Sequence, residues 1–324
     1  MKISPLTRGA ILRRSFLSQF AAGAAAAMLG PSGSALAYSK KRHSAPSPPN
    51  KLDRIAISTW SLHNYFRSTR ESTFSLPGPM LALLDVPEML VDRYRVHHFE
   101  LCASHFPSTE QAYLRELKYV LVHTQSTVVH LSIDIDPCGS EGTFSDPDRG
   151  TRLAALESVQ PWVDLAHTLG AKSVSVGPGK TDPENLARTA ESYKALATYA
   201  LARGVHVIVE NQIGFGAEHP EELASVINLP GPGRIGALPD FANFTDEAAR
   251  AKGLKLLFPL APTVCHVSAT EFDAGRFESA YDFSQAIEIA RQSGFHGIYS
   301  IKFDGPDDPY TGIQKTLDEL LKYL

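Results

Sequence analysis

From Leu52 to its end the chain alternates eight short strand-like runs with eight longer amphipathic stretches, and this alternation constrains the fold more than any other feature. The strand candidates are residues 54–60, 97–102, 127–135, 172–176, 205–210, 235–240, 263–268 and 297–303. The helical stretches are residues 86–94, 108–123, 149–169, 183–203, 220–227, 246–257, 281–293 and 310–321. Strands separated by helical patterns build βαβ units, which require a parallel sheet. Eight such units suggest an α/β fold of the (β/α)8 TIM-barrel type, as a single domain. A doubly wound open sheet is the competing architecture, but no Gly-rich dinucleotide turn follows the first strand. Several helix ends carry local signals. Ser108 with Gln111 resembles a capping box, Gly170 and Gly204 follow helix ends, and Asp182-Pro183 places proline at a first helical position. The long connection 61–85 after the first strand is of the kind that forms active sites or lids.

The segment before the barrel reads as targeting sequence. Leu12-Arg13-Arg14-Ser15-Phe16-Leu17 is a twin-arginine pattern, followed by a weakly apolar run at 20–29 and by Ala35-Leu36-Ala37, a small-residue cleavage site. Residues 1–37 are therefore expected to be a twin-arginine signal peptide, 38–51 a flexible linker rich in Ser, Pro and Lys, and 52–324 the barrel. The expected location is periplasmic or extracellular. No Cys follows the apolar run and the run is short and Gly/Ala-rich, so no stable membrane anchor is expected. Removing the four bases of the first 37 residues, which hold no acid, takes the net charge from −4 to −8. An acidic chain argues against nucleic acid as partner. Three cysteines, Cys102, Cys138 and Cys265, form no CxxC pair, and Cys102 and Cys265 sit in apolar runs where buried free thiols are the rule.

Chemistry is expected at the strand ends. The run GVHVIVENQ at 204–212 is a strand covered on both faces that ends in an acid, Glu210. A carboxylate at that place is costly to desolvate unless a cation or hydrogen bonds meet it. Two later strands end alike: RIGALPD delivers Asp240 and PTVCHVS delivers His266. Two carboxylates and an imidazole from strand ends make a ligand set for a divalent metal. Other patterns fail. Gly179-Lys180-Thr181 lacks the earlier glycine of a phosphate loop, and there is no HExxH and no GxSxG. Trp60, His63 and Phe66 are placed to line a sugar pocket, and Glu100 and His105 are pocket candidates at the end of the second strand.

The same residues carry a family resemblance. Ile57-Ser58-Thr59-Trp60-Ser61-Leu62-His63, Glu100 with His105, Glu210-Asn211, Asp240 with Asn243, His266 with Glu271-Phe272-Asp273, and the ending from Gly294 onward resemble, in order and spacing, the sugar phosphate isomerase/epimerase family with its xylose isomerase-like barrel. The resemblance implies a divalent metal (Mn, Mg, Zn or Co) held by Glu210, Asp240, His266 and a fourth carboxylate from the last strand. There the chain departs from the pattern: Ser300-Ile301-Lys302-Phe303-Asp304-Gly305 puts Lys302 at the carboxylate position. Gln212 and Ser268 likewise replace a histidine and a lysine of the pattern. A protonated ammonium donates hydrogen bonds and does not ligate. Three arrangements are open: a metal held by Glu210, Asp240 and His266 with water, a metal-free site in which Lys302 pairs with Glu210 or Asp240, or Asp304 as substitute ligand from the same strand face.

The resemblance implies proton abstraction next to a carbonyl of a carbohydrate or polyol, with a cation holding the enediolate oxygens. The two glutamates the family uses for epimerisation are reduced to one, so Glu210, or Lys302 if its ammonium can lose a proton, is the expected base. The expected activity is that of an exported sugar isomerase/epimerase-like enzyme. The rivals are a keto-sugar lyase or dehydratase on the same barrel and a non-catalytic sugar-binding relative. A DNA-repair endonuclease of the same superfamily ranks last, because the mature chain is acidic.

Overall fold

The eight alternating patterns fold as eight parallel strands with helices between them. The computed structural model describes residues 50–70, 79–133, 144–179, 184–212, 214–269, 281–306 and 308–324. The segments expected to be a signal peptide and, but for its last two residues, a linker lie outside the described residues, as do Cys138, Asp182-Pro183 and Glu271-Phe272-Asp273. The strands are β1 (Ile55–Ser58), β2 (His98–Cys102), β3 (Thr127–Ile133), β4 (Ser173–Val176), β5 (His206–Glu210), β6 (Ile235–Leu238), β7 (Val264–Ala269) and β8 (Ile298–Phe303). Between them run α1 (Val86–Tyr94), α2 (Gln111–His123), α3 (Arg149–Leu169), α4 (Leu186–Leu201), α5 (Pro220–Asn228), α6 (Glu247–Leu257), α7 (Phe283–Gln292) and α8 (Pro309–Leu320). Among the described residues no helix is long and apolar enough to cross a membrane.

Hydrogen-bonded neighbours run β6-β5-β4-β3-β2-β1-β8-β7, all parallel. The circle closes between β6 and β7, where His266 N–H donates to Pro239 O (2.8 Å) and Phe241 N–H donates to His266 O (3.1 Å). Closure at this seam is a single bridge, Asp240 to His266, in place of a full ladder. Gly236 sits beside the seam because the Pro262 ring occupies the space a Cβ would need. The result is a nearly closed (β/α)8 barrel, as the alternation implies.

Two apolar layers form. A large cluster fills the space between strands and helices, built from the buried face of each helix and residues such as Ile57, Phe99, Val174, Val209 and Ile301. A small one, Ala56, Val129, Ile208, Leu238 and Val264 with Ile298 against it, plugs the barrel floor. Strand side chains alternate with period two. Two residues beyond the floor residues Ile208, Leu238 and Val264 come Glu210, Asp240 and His266, and four beyond Ile298 comes Lys302. The periodicity that seats an apolar floor thus aims the polar residues inward above it. A register shift in the β2–β3 pairing, between Phe99 and Glu100, breaks the alternation once and lets Val129 and His130 both escape the outer layer.

Three local expectations are corrected. The Ser108 hydroxyl accepts from Glu110 N–H (3.1 Å), so α2 starts later, at Gln111, with Glu110 as its N-cap and no capping box. The strands are shorter than their apolar runs, since Lys172, Val205 and Asp240 fall just outside the ladders. Asp304 lies beyond the end of β8 and accepts from Trp60 Nε1 at the rim of the cavity that Lys302 also lines, apart from the cluster of Glu210, Asp240 and His266. Gly170 does cap α3 in the left-handed conformation, with φ 83°, and Cys102 and Cys265 are buried free thiols.

Candidate active site

Glu210, Asp240 and His266 meet at the barrel mouth, each offering one ligand atom within 4.8 Å of the others. All three are buried, as is Glu100. His266 lies between two carboxylates: Nε2 is 3.0 Å from Glu100 Oε2 and Nδ1 is 2.9 Å from Glu210 Oε1. With an acceptor at each nitrogen the ring donates from both, which is the imidazolium form. Burial alone would favour the neutral ring, but Glu100 and Glu210 outweigh it and hold the imidazole well above its usual range, Lys302 opposing them. Glu100 answers in kind. Burial would raise its carboxyl, yet the His266 charge and hydrogen bond bring it down to about 2.

Lys302 completes the cluster. Its Nζ is 2.7 Å from Glu210 Oε1 and 3.3 Å from Asp240 Oδ2, on a side chain only 17% exposed. Burial favours a neutral amine, but Glu210 and Asp240 overcome it and keep the ammonium charged. Against burial, Lys302 and His266 likewise hold Glu210 well below the usual carboxylate range. Three carboxylates and two cations thus form one buried network, of the kind in which removing one partner strands the others.

Neighbouring residues fix this arrangement. Asp240 Oδ1 accepts the N–H groups of Ala242 (2.9 Å) and Asn243 (3.3 Å), while Oδ2 takes the Ser268 hydroxyl at 2.6 Å. The Asn211 amide ties the ends of β5 and β6 together, donating to Asp240 O (3.1 Å) and Asn243 O (2.9 Å) and accepting from Asp240 N–H (2.8 Å). Gln212 Nε2 donates to Glu210 Oε2 (3.1 Å), and Ser58 Oγ donates to Glu100 Oε1 (2.9 Å). His130, fully buried, is held between the Ser173 and Ser175 hydroxyls at 2.9 Å each, and burial lowers it to about 4, the Glu100 charge opposing. Sequence reasoning missed His130, Asn211 and Ser58 as site residues. The polar positions in the β1, β3 and β4 runs, at the spacing of inward side chains, were the available signal for His130 and Ser58.

The network opens on a cavity of about 250 Å³. Glu100, Glu210, His266 and Lys302 form its charged wall, with Gln212 and Asn243 beside them and Trp60 and Asp304 at its rim. Trp60 Nε1 donates to Asp304 Oδ1 (3.2 Å), a bond that closes the rim between β1 and β8. Three expected pocket residues stand elsewhere, Phe66 being buried in the core with its ring stacked on His105 at 3.9 Å between ring centres. His63 stacks on Trp60 at 5.0 Å between ring centres, accepts no place in the cavity wall, and keeps its Nδ1 2.9 Å from Trp60 O. His105 is locked behind the wall. Thr69 Oγ1 donates to His63 O (2.7 Å) and so accepts from His105 Nε2 (3.1 Å); His105 Nδ1 then accepts from Thr59 Oγ1 (3.0 Å). Burial, helped by the neighbouring His63, lowers His105 to about 3 and keeps it neutral. It clamps the connection after β1 onto the end of β2.

The fold and the strand-end acids and histidine agree with a family match. Residues 93–323 match the model of the xylose isomerase-like TIM barrel family, and the chain belongs to that family. No curated protein matches it. Among solved structures it is similar to a xylose isomerase-like TIM barrel protein from Mycobacterium smegmatis in complex with magnesium, at TM-score 0.62 and 15% identity over 83% of this chain and 96% of that one. It is similar to an IolI protein with a bound zinc atom, at TM-score 0.65 and 15% identity over 84% and 99% of the two chains. A third is a D-psicose 3-epimerase with D-tagatose from Clostridium cellulolyticum H10, at TM-score 0.61 and 14% identity over 82% and 95%. At these identities the likeness is one of fold.

The magnesium and zinc of two relatives raise the question of a metal at Glu210, Asp240 and His266. Their spacing suits one ion. Their present partners do not. Lys302 Nζ is seated on Glu210 Oε1 and Asp240 Oδ2, both Asp240 oxygens are supplied with donors, and His266 has both ring nitrogens turned to carboxylates. An ion bound by Glu210 and Asp240 would have to displace the Nζ that both carboxylates already hold. As arranged, these residues do not fit a divalent ion.

Proposed function

We propose that this chain is an exported enzyme that acts on a small, unphosphorylated carbohydrate or polyol by removing a proton from the carbon next to a carbonyl. The observation that carries the reading is the contact of Glu210 with Lys302 at 2.7 Å on the wall of a sugar-sized cavity. Glu210, held ionised by its neighbours, is the base. As it takes the proton, the C–H electron pair moves toward the carbonyl and negative charge gathers on the carbonyl oxygen. Lys302 is the donor placed for that oxygen, in a dry site where such a hydrogen bond counts for more than in water. In an isomerisation Glu210 returns the proton to the former carbonyl carbon, while the hydroxyl proton on the first carbon passes to the former carbonyl oxygen and a new carbonyl forms there. In an elimination the pair instead expels a hydroxyl at the next carbon, leaving as water with the proton. The sugar epimerases among the structural relatives support a carbohydrate substrate.

The wall favours neutral sugars. Glu100, Glu210 and Asp304 present three carboxylates against two cations, Lys302 and His266, both already paired with acids, so a phosphate would meet an excess of like charge. Of the two glutamate positions that the family resemblance implies for epimerisation, only Glu210 keeps its acid, which favours one-base isomerisation or elimination. Export is supported by the twin-arginine pattern at Arg13-Arg14. The test is to incubate the protein with unphosphorylated aldoses, ketoses, polyols and keto-sugars and follow products by NMR. An interconverted sugar pair is expected, a dehydrated product would mean the lyase, and a sugar that binds unchanged would mean a binding protein and defeat the proposal.

A further inference from the structure

The misfit between the metal-ready spacing of three residues and the ammonium set among them has a consequence for the chemistry. We propose that Lys302 is the permanent cation of this site: its ammonium takes the place a divalent ion would need between Glu210 and Asp240, so the protein rejects metal and works without it. The part of the inference that concerns catalysis rests on the function proposed above; the rejection of metal does not.

Three observations carry it. Nζ contacts Glu210 Oε1 and Asp240 Oδ2, which belong to two of the three residues grouped as ligands. The lysine arrives from β8, in register with Ser268 of β7, so the strand ladder fixes its height in the barrel. Each of the three carboxylates already has a partner in the cluster: Glu100 and Glu210 meet His266, and Glu210 and Asp240 meet Lys302.

The same geometry assigns what the ammonium recognises. An ammonium has three donors. Among the described residues its acceptors are Glu210 and Asp240, and Lys302 also borders the cavity, so the third donor is available to a substrate oxygen. One N–H in place of a chelating ion suits a single carbonyl or hydroxyl oxygen, and not the paired oxygens that two open positions on a metal would grip.

The experiment is a titration of the full chain with Mn2+ after chelator treatment, reading free Mn2+ by electron paramagnetic resonance. It includes the wild type, Lys302→Met and Lys302→Glu, with folding checked by circular dichroism. The wild type is expected to leave Mn2+ free. Lys302→Glu is expected to bind one ion per chain at least about 100-fold more tightly, as removal of a cation beside three carboxylates demands. Lys302→Met keeps the length without the charge; it is expected to fall between them, and serves if Lys302→Glu does not fold. One tightly bound Mn2+ per wild-type chain, lost in Asp240→Asn, would overturn the inference and leave the carbohydrate reading standing. Equal, absent binding in all three folded proteins would also overturn it, since Lys302 would then not be what excludes metal. Failure to transform any sugar would defeat the function reading while the titration still decides this one.

Discussion

The His266 imidazolium lies between two carboxylates that reach it from opposite parts of the chain, and its stability should be readable by removing one of them. Glu100→Gln leaves the ring cation with one partner fewer in a buried site, a loss of about 3–5 kcal/mol at neutral pH. The sign with pH follows from the carboxyl. Its folded value of about 2 lies below the ordinary 4.5, so it stabilises the fold above that ordinary value and the benefit fades as pH falls toward 2. His266 behaves oppositely: its raised value contributes below 6.5 and is lost as pH rises through the folded value. Urea unfolding should therefore show a wild-type-to-variant gap that narrows from about pH 6 to about pH 3.5; a gap that widens on acidification would contradict the pairing. At this scale the sequence was partly legible. Glu210, Asp240 and His266 were readable as strand-end residues. The fate of Lys302 was not, because a flexible ammonium can face a ligand set, a carboxylate or water, and only the neighbouring strands decide. The Glu100–His266 bond joins residues 166 positions apart, which no local pattern reports.

Elements hold these side chains at their height. The end of β6 continues through Asp240 and Asn243 to Phe244, whose ring lies against α6 at Gly253, where a Cβ would run into the ring. Gly253→Ala should thus invert the usual rule. Helix propensity would gain about 1 kcal/mol, but displacing a buried ring costs about 1–3 kcal/mol. A lowered urea midpoint is expected, with weaker activity as Asn243 shifts; a raised midpoint would show that the ring yields. Elements were the most legible level of the sequence. The bounds expected for α1 and α3 are those observed, because Pro87 near a first turn and Gly170 after a last one mark them locally. The capping box at Ser108 failed because its hydroxyl caps a turn one step earlier. Strand ends ran long because apolar composition continues past the point where ladder bonds stop.

At the scale of the whole chain, residues 1–37 are expected from their sequence to direct export. If Arg13-Arg14 directs export, replacing both with lysine should keep the folded protein inside the cell, and fractionation should find it in the cytoplasm; unchanged export would refute the twin-arginine reading. In the barrel, the fold was legible from alternation alone, since eight βα units have few other ways to bury both sheet faces. The location of the loosest closure was not. It falls at Asp240 and His266, where the single bridge between β6 and β7 holds two members of the charged network. The claim on which the functional account depends is that Glu210 takes a proton from a carbon next to a carbonyl while Lys302 holds the oxygen. Incubating chelator-treated protein with neutral ketoses and aldoses in D2O, and following the C–H signals by proton NMR, tests it most directly. Wild-type protein should wash deuterium into that one position, and Glu210→Gln should slow the exchange by at least about 1,000-fold. Exchange that persists in Glu210→Gln, or that appears in the wild type only after a metal is added, would contradict the account.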